Sequence, residues 1–460
     1  MTTWFAEWAW LGGEGLAAQV VLEDDGAGRL TRVAQVAPGE APPVGVVRLP
    51  GIVLPGLANG HSHAFHRALR GRVQGVGADD FWRWRDRMYE LAAVLDPDGL
   101  FDLARATYAE MALAGITAVG EFHYLHHPPG AGAYDDPNAM GRALVAAAAE
   151  TGVRLTLLDA CYLRGGFDAR AGWAHPAQVR FGDGDVDQWA SRVEALATSV
   201  RPRWRLGAAV HSVRAVDERA MGVVADWAAR HEAPLHLHLA EQRAEVKQAL
   251  AATGRTPARL AADAGLLGPR TVAVHATHVT DDDVRALGSS GTGVCLCPTT
   301  ERDLGDGVGP AARLAAAGSP LSLGTDSHAV IDPFEEARLA ELHERLVRRR
   351  RGGLGAAALL AAATSGGCRA LGWADGGAPS GGLVPGAPAD LVVVDRASAR
   401  LAGLDLARHG AAGVVFAATA ADVTDVVVGG RTIVRDRAHT SIPDVPAALH
   451  RAITSLWERV

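Results

Sequence analysis

The chain has 460 residues, 48% of them hydrophobic and 21% charged, with a formal net charge of −7. This is ordinary globular composition in a chain longer than one compact domain needs; it excludes a disordered chain and predicts a large barrel with an appendage, or two domains. Acid and base are intermixed, and the one basic run, Arg348 to Arg351, ends a helical pattern where cations are favourable, so nothing marks a nucleic-acid-binding stripe.

The N-terminal stretch MTTWFAEWAWLGGEG lacks a positive leading region and carries an acidic residue among its apolar ones, which is not the pattern of a signal peptide. No apolar run is long enough to span a bilayer. Residues 1–50 alternate in short strand-like segments. Eight apolar, β-rich runs follow, at roughly 51–63, 115–124, 153–162, 205–212, 234–241, 271–278, 291–300 and 321–328, separated by Ala- and Leu-rich stretches of helical period such as DLARATYAEMALA and EEARLAELHERLV. Residues 383–437 return to short strands, with GAPAD and VGGR as turn signals, and PAALHRAITSLWERV reads as a terminal amphipathic helix. Strand–helix alternation repeated eight times predicts an α/β fold, a parallel (β/α)8 TIM-like barrel. The barrel is expected over 51–375, a small β-sandwich from both chain ends over 1–50 and 376–440, and the C-terminal helix over 441–460.

The chemistry sits at the ends of the strand-like runs. GIVLPGLANGHSH ends in His61 and His63, PLHLHLAE carries His238 and Glu241, TVAVHATH carries His275, and LSLGTDSH carries Asp326. His61 and His63 alternate by two, so on a strand both imidazoles face one side, as chelation of one ion requires. A lone H-x-H is as well explained by two unrelated polar residues; four motifs at strand ends are not. His61, His63, His238 and Asp326 therefore read as ligands of one divalent ion, zinc or iron(II), which lowers the pKa of a bound water to near neutral. Glu241, three residues beyond a ligand, suits a proton shuttle, although a Glu after a strand also suits a helix N-terminus. His275 is placed to hydrogen-bond the water or the tetrahedral intermediate. His236, His278 and His328 are expected outside the ligand set.

Barrel hydrolases with two ions commonly bridge them by a carboxylated lysine at the end of strand 4. Strand 4, RLGAAVHSVRAV, has none, and Lys247, the only lysine in the chain, follows strand 5, which favours one metal. Cys161, Cys295, Cys297 and Cys368 lie in apolar segments without a C-x-x-C pair and read as reduced core cysteines of a cytoplasmic protein.

GHSH, HLHLAEQ, VHATH and GTDSH together resemble the amidohydrolase superfamily, in its single-metal deaminase branch. GHSHAFHRALRG, DDFWRWRDRMYE, AVGEFHYLHH, AVHSVRAV and CPTTERDLGDG resemble, more narrowly, the formimidoylglutamate deiminases of histidine catabolism. That resemblance implies hydrolysis of N-formimino-L-glutamate to N-formyl-L-glutamate and ammonia, zinc as the usual metal, and a homodimer. Such a substrate presents two carboxylates, and Arg85 and Arg214 follow strands 1 and 4 at the expected mouth, where guanidinium forks bind carboxylates in two-pronged fashion. Tyr124 and His211, at strand ends, can add hydrogen bonds. Arg85 is equally readable as a surface helix residue, and Tyr124 as packing. Family members often carry glutamine where this chain has His66, a position expected to touch the substrate. The competing expectations are a deaminase of an aromatic base or adenosine-like metabolite, whose pocket would want stacking aromatics and few arginines, and a barrel that has lost its chemistry, which would lack ligands.

Overall fold

Gly56 divides the apolar run expected as one strand over 51–63. In the computed structural model, residues up to Pro55 belong to one sheet and residues from Leu57 to another, and the crossing point needs glycine, since a Cβ at position 56 would collide with the Thr117 side chain. The structure describes all residues except 38–39, 41–43, 76–80, 131, 168–172, 174, 201 and 375–379, together with the side chains of 81–83.

The strands are β1 (Thr3–Ala9), β2 (Ala17–Asp24), β3 (Leu30–Gln35), β4 (Val47–Pro55), β5 (Leu57–Ser62), β6 (Ile116–His123), β7 (Arg154–Cys161), β8 (Trp204–Ser212), β9 (Leu235–Leu239), β10 (Thr271–His275), β11 (Gly293–Leu296), β12 (Leu321–Leu323), β13 (Leu391–Val394), β14 (Val423–Val428), β15 (Arg431–Arg435) and β16 (Ala438–His439). Strands β5 to β12 pair in sequence order, each parallel to the next, in one eight-stranded sheet, and each corresponds to one of the eight expected runs. This is the (β/α)8 barrel. β6 is buried along its whole length, as a strand between two covered faces must be, which explains a near-continuous apolar run rather than alternation.

The other sheet has the order β16-β15-β14-β13-β4-β1-β2-β3, so strands from the two chain ends meet where β13 pairs with β4. It encloses a small core of its own, including Trp4, Val20, Leu22, Leu49, Val53, Leu391 and Val393. We propose the domain division expected from the sequence, with its first boundary, 50/51, falling inside β4 and its second, 375/376, outside the described residues. The helix Val445–Trp457 packs Val445, Ala448 and Leu449 against Ala106 and Ala109 of the helix Pro97–Leu113. Aspartates cap the starts of several helices: Asp96 accepts from Gly99 N (2.8 Å) and Asp217 from Ala220 N (3.0 Å). Among the described residues no helix is long and apolar enough to cross a membrane.

The seam of the barrel closes at its mouth. A parallel bridge joins Ser62 to Asp326: Asp326 N donates to His61 O (3.0 Å) and His63 N donates to Asp326 O (3.3 Å). The approach needs glycine, since a Cβ on Gly324 would stand 2.8 Å from His61 Cβ and 2.9 Å from His61 O. Gly324→Ala should therefore force the seam apart and lower stability by about 1–3 kcal/mol. It should also reduce bound metal, both effects being readable by thermal unfolding and by metal analysis of the purified variant.

Candidate metal centre and active site

His61 and His63 leave the end of β5 on one face, and their Nε2 atoms lie 3.4 Å and 3.5 Å from Asp326 Oδ1. His238, from β9, brings its Nε2 to 3.2 Å from that of His61. Second partners fix the tautomers: His63 Nδ1 donates to Phe122 O (2.8 Å) and His238 Nδ1 to His211 O (2.9 Å). Each ring thus turns an Nε2 lone pair toward the shared point. The donor atoms of His61, His63 and His238 lie within 4.8 Å of one another, as do those of His61, His275 and Asp326. Three neutral imidazoles and a carboxylate around one point form a donor set that fits a divalent ion of the zinc type.

The electrostatics hold that state. Burial pushes the pKa of His61 down and those of His63 and His238 well down, against the pull of Asp326. Burial also pushes the Asp326 carboxyl up, but the facing His61, His275 and His63 outweigh it and keep Asp326 well below the usual carboxylate range. His275 goes the other way. Burial lowers it, yet Glu241, Glu301 and Asp326 together raise it well above an ordinary histidine. Its Nε2 lies 3.7 Å from Glu241 Oε1 and 3.8 Å from Asp326 Oδ2, and its Nδ1 lies 3.3 Å from Glu301 Oε1. Burial raises the Glu241 carboxyl as well, opposed by His275 and Arg214.

The strand ends bend sharply here. Ala240, His275, Ala276, Asp326 and His328 have φ between 44° and 70°, a left-handed conformation unfavourable for residues with a Cβ. Such strain, about 1–3 kcal/mol per residue, persists where the surroundings over-determine it and gathers at functional sites. Ala276 N to Leu239 O (3.0 Å) and His278 N to Ala240 O (2.9 Å) are part of what holds it.

Arg85, Tyr124, His211, Arg214 and His66 all line one cavity together with His63, His238, Glu241, His275 and Asp326. His66 donates or accepts through Nε2 with Tyr124 OH (2.9 Å), its Nδ1 has no partner, and burial pushes its pKa to about 3. A ring nitrogen of His66 also lies within 4.8 Å of donors on His63 and Asp326, so it borders the ligand cluster. His236 sits deeper, donating through Nε2 to Ala370 O (2.8 Å). A second cluster, His123, His126 and Asp159, also gathers metal-ligand types. There Arg192 takes both Asp159 oxygens at 2.8 Å, so a guanidinium already supplies the positive charge.

Sequence reasoning missed several neighbours. Glu301 also accepts from Cys297 N (2.9 Å). Glu121 accepts from Ser62 Oγ and Ala64 N, both at 2.7 Å, bracing the H-x-H segment from behind, and burial pushes it up to about 8. Their motifs, EFHYLHH and CPTTERDLGDG, carried the family resemblance, but nothing local marks which acid turns inward. Trp84, Tyr89, Tyr162 and Phe181 join Tyr124 in an aromatic wall, the feature expected of the rival base deaminase, although the two arginines line the same cavity. The helix Phe81–Val94 contributes two of these rings beside Arg85.

Residues 52–433 match the family model described as "Amidohydrolase family". The chain belongs to the amidohydrolase family. It is similar to a formimidoylglutamate deiminase of Pseudomonas aeruginosa, 38% identical over 95% of this chain and 96% of that protein. An 8-oxoguanine deaminase of the same organism is 32% identical over 88% of this chain and 87% of its own. The crystal structure of an adenosine deaminase from Xanthomonas campestris with bound zinc is 25% identical, covering 100% of this chain and 98% of that one at a TM-score of 0.85. As an amidohydrolase with deaminase relatives, the protein is a hydrolase acting on carbon–nitrogen bonds.

In chelator-treated amidohydrolase, the opposed shifts should be visible by histidine NMR. His275 should stay protonated at pH 7 while His61, His63 and His238 are neutral. Glu301→Gln removes one of the three acids that raise His275, so its titration should move to lower pH; an unmoved titration would contradict the assignment.

Proposed function

We propose that this amidohydrolase converts N-formimino-L-glutamate and water to N-formyl-L-glutamate and ammonia, a step of histidine degradation. The reading is carried by two guanidinium groups, Arg85 and Arg214, lining the same cavity as Glu241, His275 and Asp326. It is supported by the 38% identity to a formimidoylglutamate deiminase. His61, His63, His238 and Asp326 hold one ion, zinc by its donor set, although iron(II) accepts the same ligands. When bound, the ion supplies a Lewis acid that makes water a competent nucleophile near neutral pH.

The residues of the chain do the rest. Arg85 and Arg214 take the two carboxylates and fix the formimino carbon against the centre, so that orientation supplies much of the rate. Tyr124, His66 and His211 add hydrogen bonds to the held substrate. Glu241, its proton affinity raised by burial, takes a proton from the attacking water and delivers it to the departing nitrogen. Asp326 and His275 steady the water from the opposite side. Water adds to the formimino carbon with one of its protons passing through Glu241 to the nitrogen; the remaining O–H proton follows by the same carboxylate as that carbon–nitrogen bond breaks, leaving a formyl carbonyl and ammonia. The four described cysteines are buried and free, which fits a reducing cytoplasm.

The aromatic wall and the 8-oxoguanine deaminase relative favour a second reading, deamination of a purine-like base. Two of the rings already stack elsewhere, Tyr89 on His175 (4.4 Å between centroids) and Tyr162 on Trp173 (5.6 Å). A neutral base also makes no use of the two guanidinium groups on the cavity wall. Ammonia release should accordingly be rapid from formiminoglutamate and negligible from 8-oxoguanine, guanine and S-adenosylhomocysteine; the reverse order would replace the first reading by the second. Arg85→Ala and Arg214→Ala should each lower kcat/KM by about 100-fold or more with metal content unchanged. Glu241→Gln should retain metal and substrate binding and lose turnover.

A further inference from the structure

Glu245 has no part in the mechanism above, yet it stands inside the site. It lies on the helix Arg243–Thr253, is only 8% exposed, and lines the cavity beside Arg214 and Glu241. Its Oε2 accepts the Glu241 main-chain N–H (3.2 Å). Its Oε1 is buried and has no hydrogen-bond partner. A buried polar atom on a cavity wall without a partner is uncommon in a folded protein and points to a partner that arrives with a ligand. Arg214 reaches Gly165 O at 3.5 Å and is likewise a wall of the cavity.

On the reading that the substrate is an anion, a carboxylate comes to Arg214 with Glu245 next to it. Two carboxylates sharing one poorly solvated site cannot both stay ionised cheaply; one of them holds a proton. The substrate carboxylate is taken by a guanidinium, so the proton falls to Glu245, whose free Oε1 then has a hydrogen to give. We propose that Glu245 is a specificity-determining residue that works as a neutral acid in the substrate complex, donating through Oε1 to the carboxylate held by Arg214, so that the anion enters together with one proton from solvent. The charged groups facing Glu245 are Arg214 from the loop after β8, Glu241 from beyond β9 and His275 from β10. Burial already pushes Glu245 up to about 7, with Glu241 raising it and Arg214, the Glu241 N–H and His275 lowering it. An added carboxylate moves it further up. The inference rests on the anionic-substrate reading of the preceding subsection.

Calorimetric titration of the metal-loaded enzyme with N-formyl-L-glutamate, in buffers of different ionisation enthalpy between pH 7 and 8.5, measures the protons taken up. Wild type should take up a proton on binding, approaching one per site at the alkaline end. Glu245→Gln, whose amide presents the same donor permanently, should bind within about threefold of wild type and lose that uptake. In turnover, kcat/KM of wild type should fall about tenfold per pH unit above the titration of Glu245, and the variant should flatten that fall. Glu245→Ala should raise KM far more than it lowers kcat. Product binding without proton uptake by wild type, uptake retained in Glu245→Gln, or more than tenfold weaker binding by Glu245→Gln would each overturn the proposal. Should Glu245→Gln fail to fold, the wild-type titration decides alone. If wild type neither turns over formiminoglutamate nor binds the product, the substrate reading falls and this proposal with it; normal turnover without proton uptake removes only the role of Glu245.

Discussion

Two main-chain hydrogen bonds carry the geometry of this protein: Asp326 N to His61 O and His63 N to Asp326 O. They close the barrel between its last strand and its first, and they do so through three of the residues that gather at the mouth. Ring closure and donor spacing are therefore one constraint. A slip at the seam would turn alternate side chains to the other face and remove the chelating set entirely. This is why glycine occurs on both sides of the seam. At Gly60 a Cβ would stand 3.1 Å from Leu323 O, and at Gly324 it would crowd His61. The positive φ of Asp326 belongs to the same closure, since the chain must turn out of β12 while its main chain stays bonded to β5.

Desolvation acts on that frame with opposite results for different groups. The imidazoles of His61, His63 and His238 lose proton affinity on burial, while Asp326 stays ionised because His61, His275 and His63 face it. The outcome is the protonation state in which all four can donate electron pairs at neutral pH. His275 escapes the trend because three carboxyl groups converge on it. Groups of one chemical type are thus pushed apart in proton affinity by their neighbours within a few ångströms, as an acid–base site requires.

What the sequence made legible follows from where each signal lies. His61, His63, His238, His275 and Asp326 sit at strand ends, and strand periodicity puts them on one face; eight apolar runs then imply the barrel that brings those ends together. The apolar run over 51–63 misled in one respect: a single glycine, Gly56, passes the chain from β4 in one sheet to β5 in the other without breaking its hydrophobic pattern. Glu121, Glu245 and Glu301 were not legible as neighbours of the site. An acid on a helix or after a strand has the same sequence surroundings whether it faces water or the barrel mouth. Only long-range packing distinguishes the two, as when Glu301 in the short helix Pro298–Asp303 meets His275 at the end of β10. The aromatic wall was hidden for the same reason, since Trp84 and Tyr89 of one helix meet Tyr162 and Phe181 from other segments only in the folded cavity.

The contributions of strands and loops also account for relatives named for different substrates at similar identity. The proposed chelating residues come from or follow β5, β9 and β12, whereas Arg85 comes from the helix Phe81–Val94 and Arg214 from the turn after β8. Segments that cover the mouth can change without disturbing main-chain pairing, so one frame admits different substrates. In this chain those segments bring arginines and aromatic rings together, and the two have a joint effect. Arg85 overlies the Tyr89 ring at 5.6 Å, and both arginines are half-buried. A guanidinium in a water-poor wall binds a carboxylate more strongly than it would in solution, and it discriminates more sharply against a neutral ligand that would leave it buried without an anion. On the proposed reading of an anionic substrate, the aromatic wall and the arginines act together instead of competing.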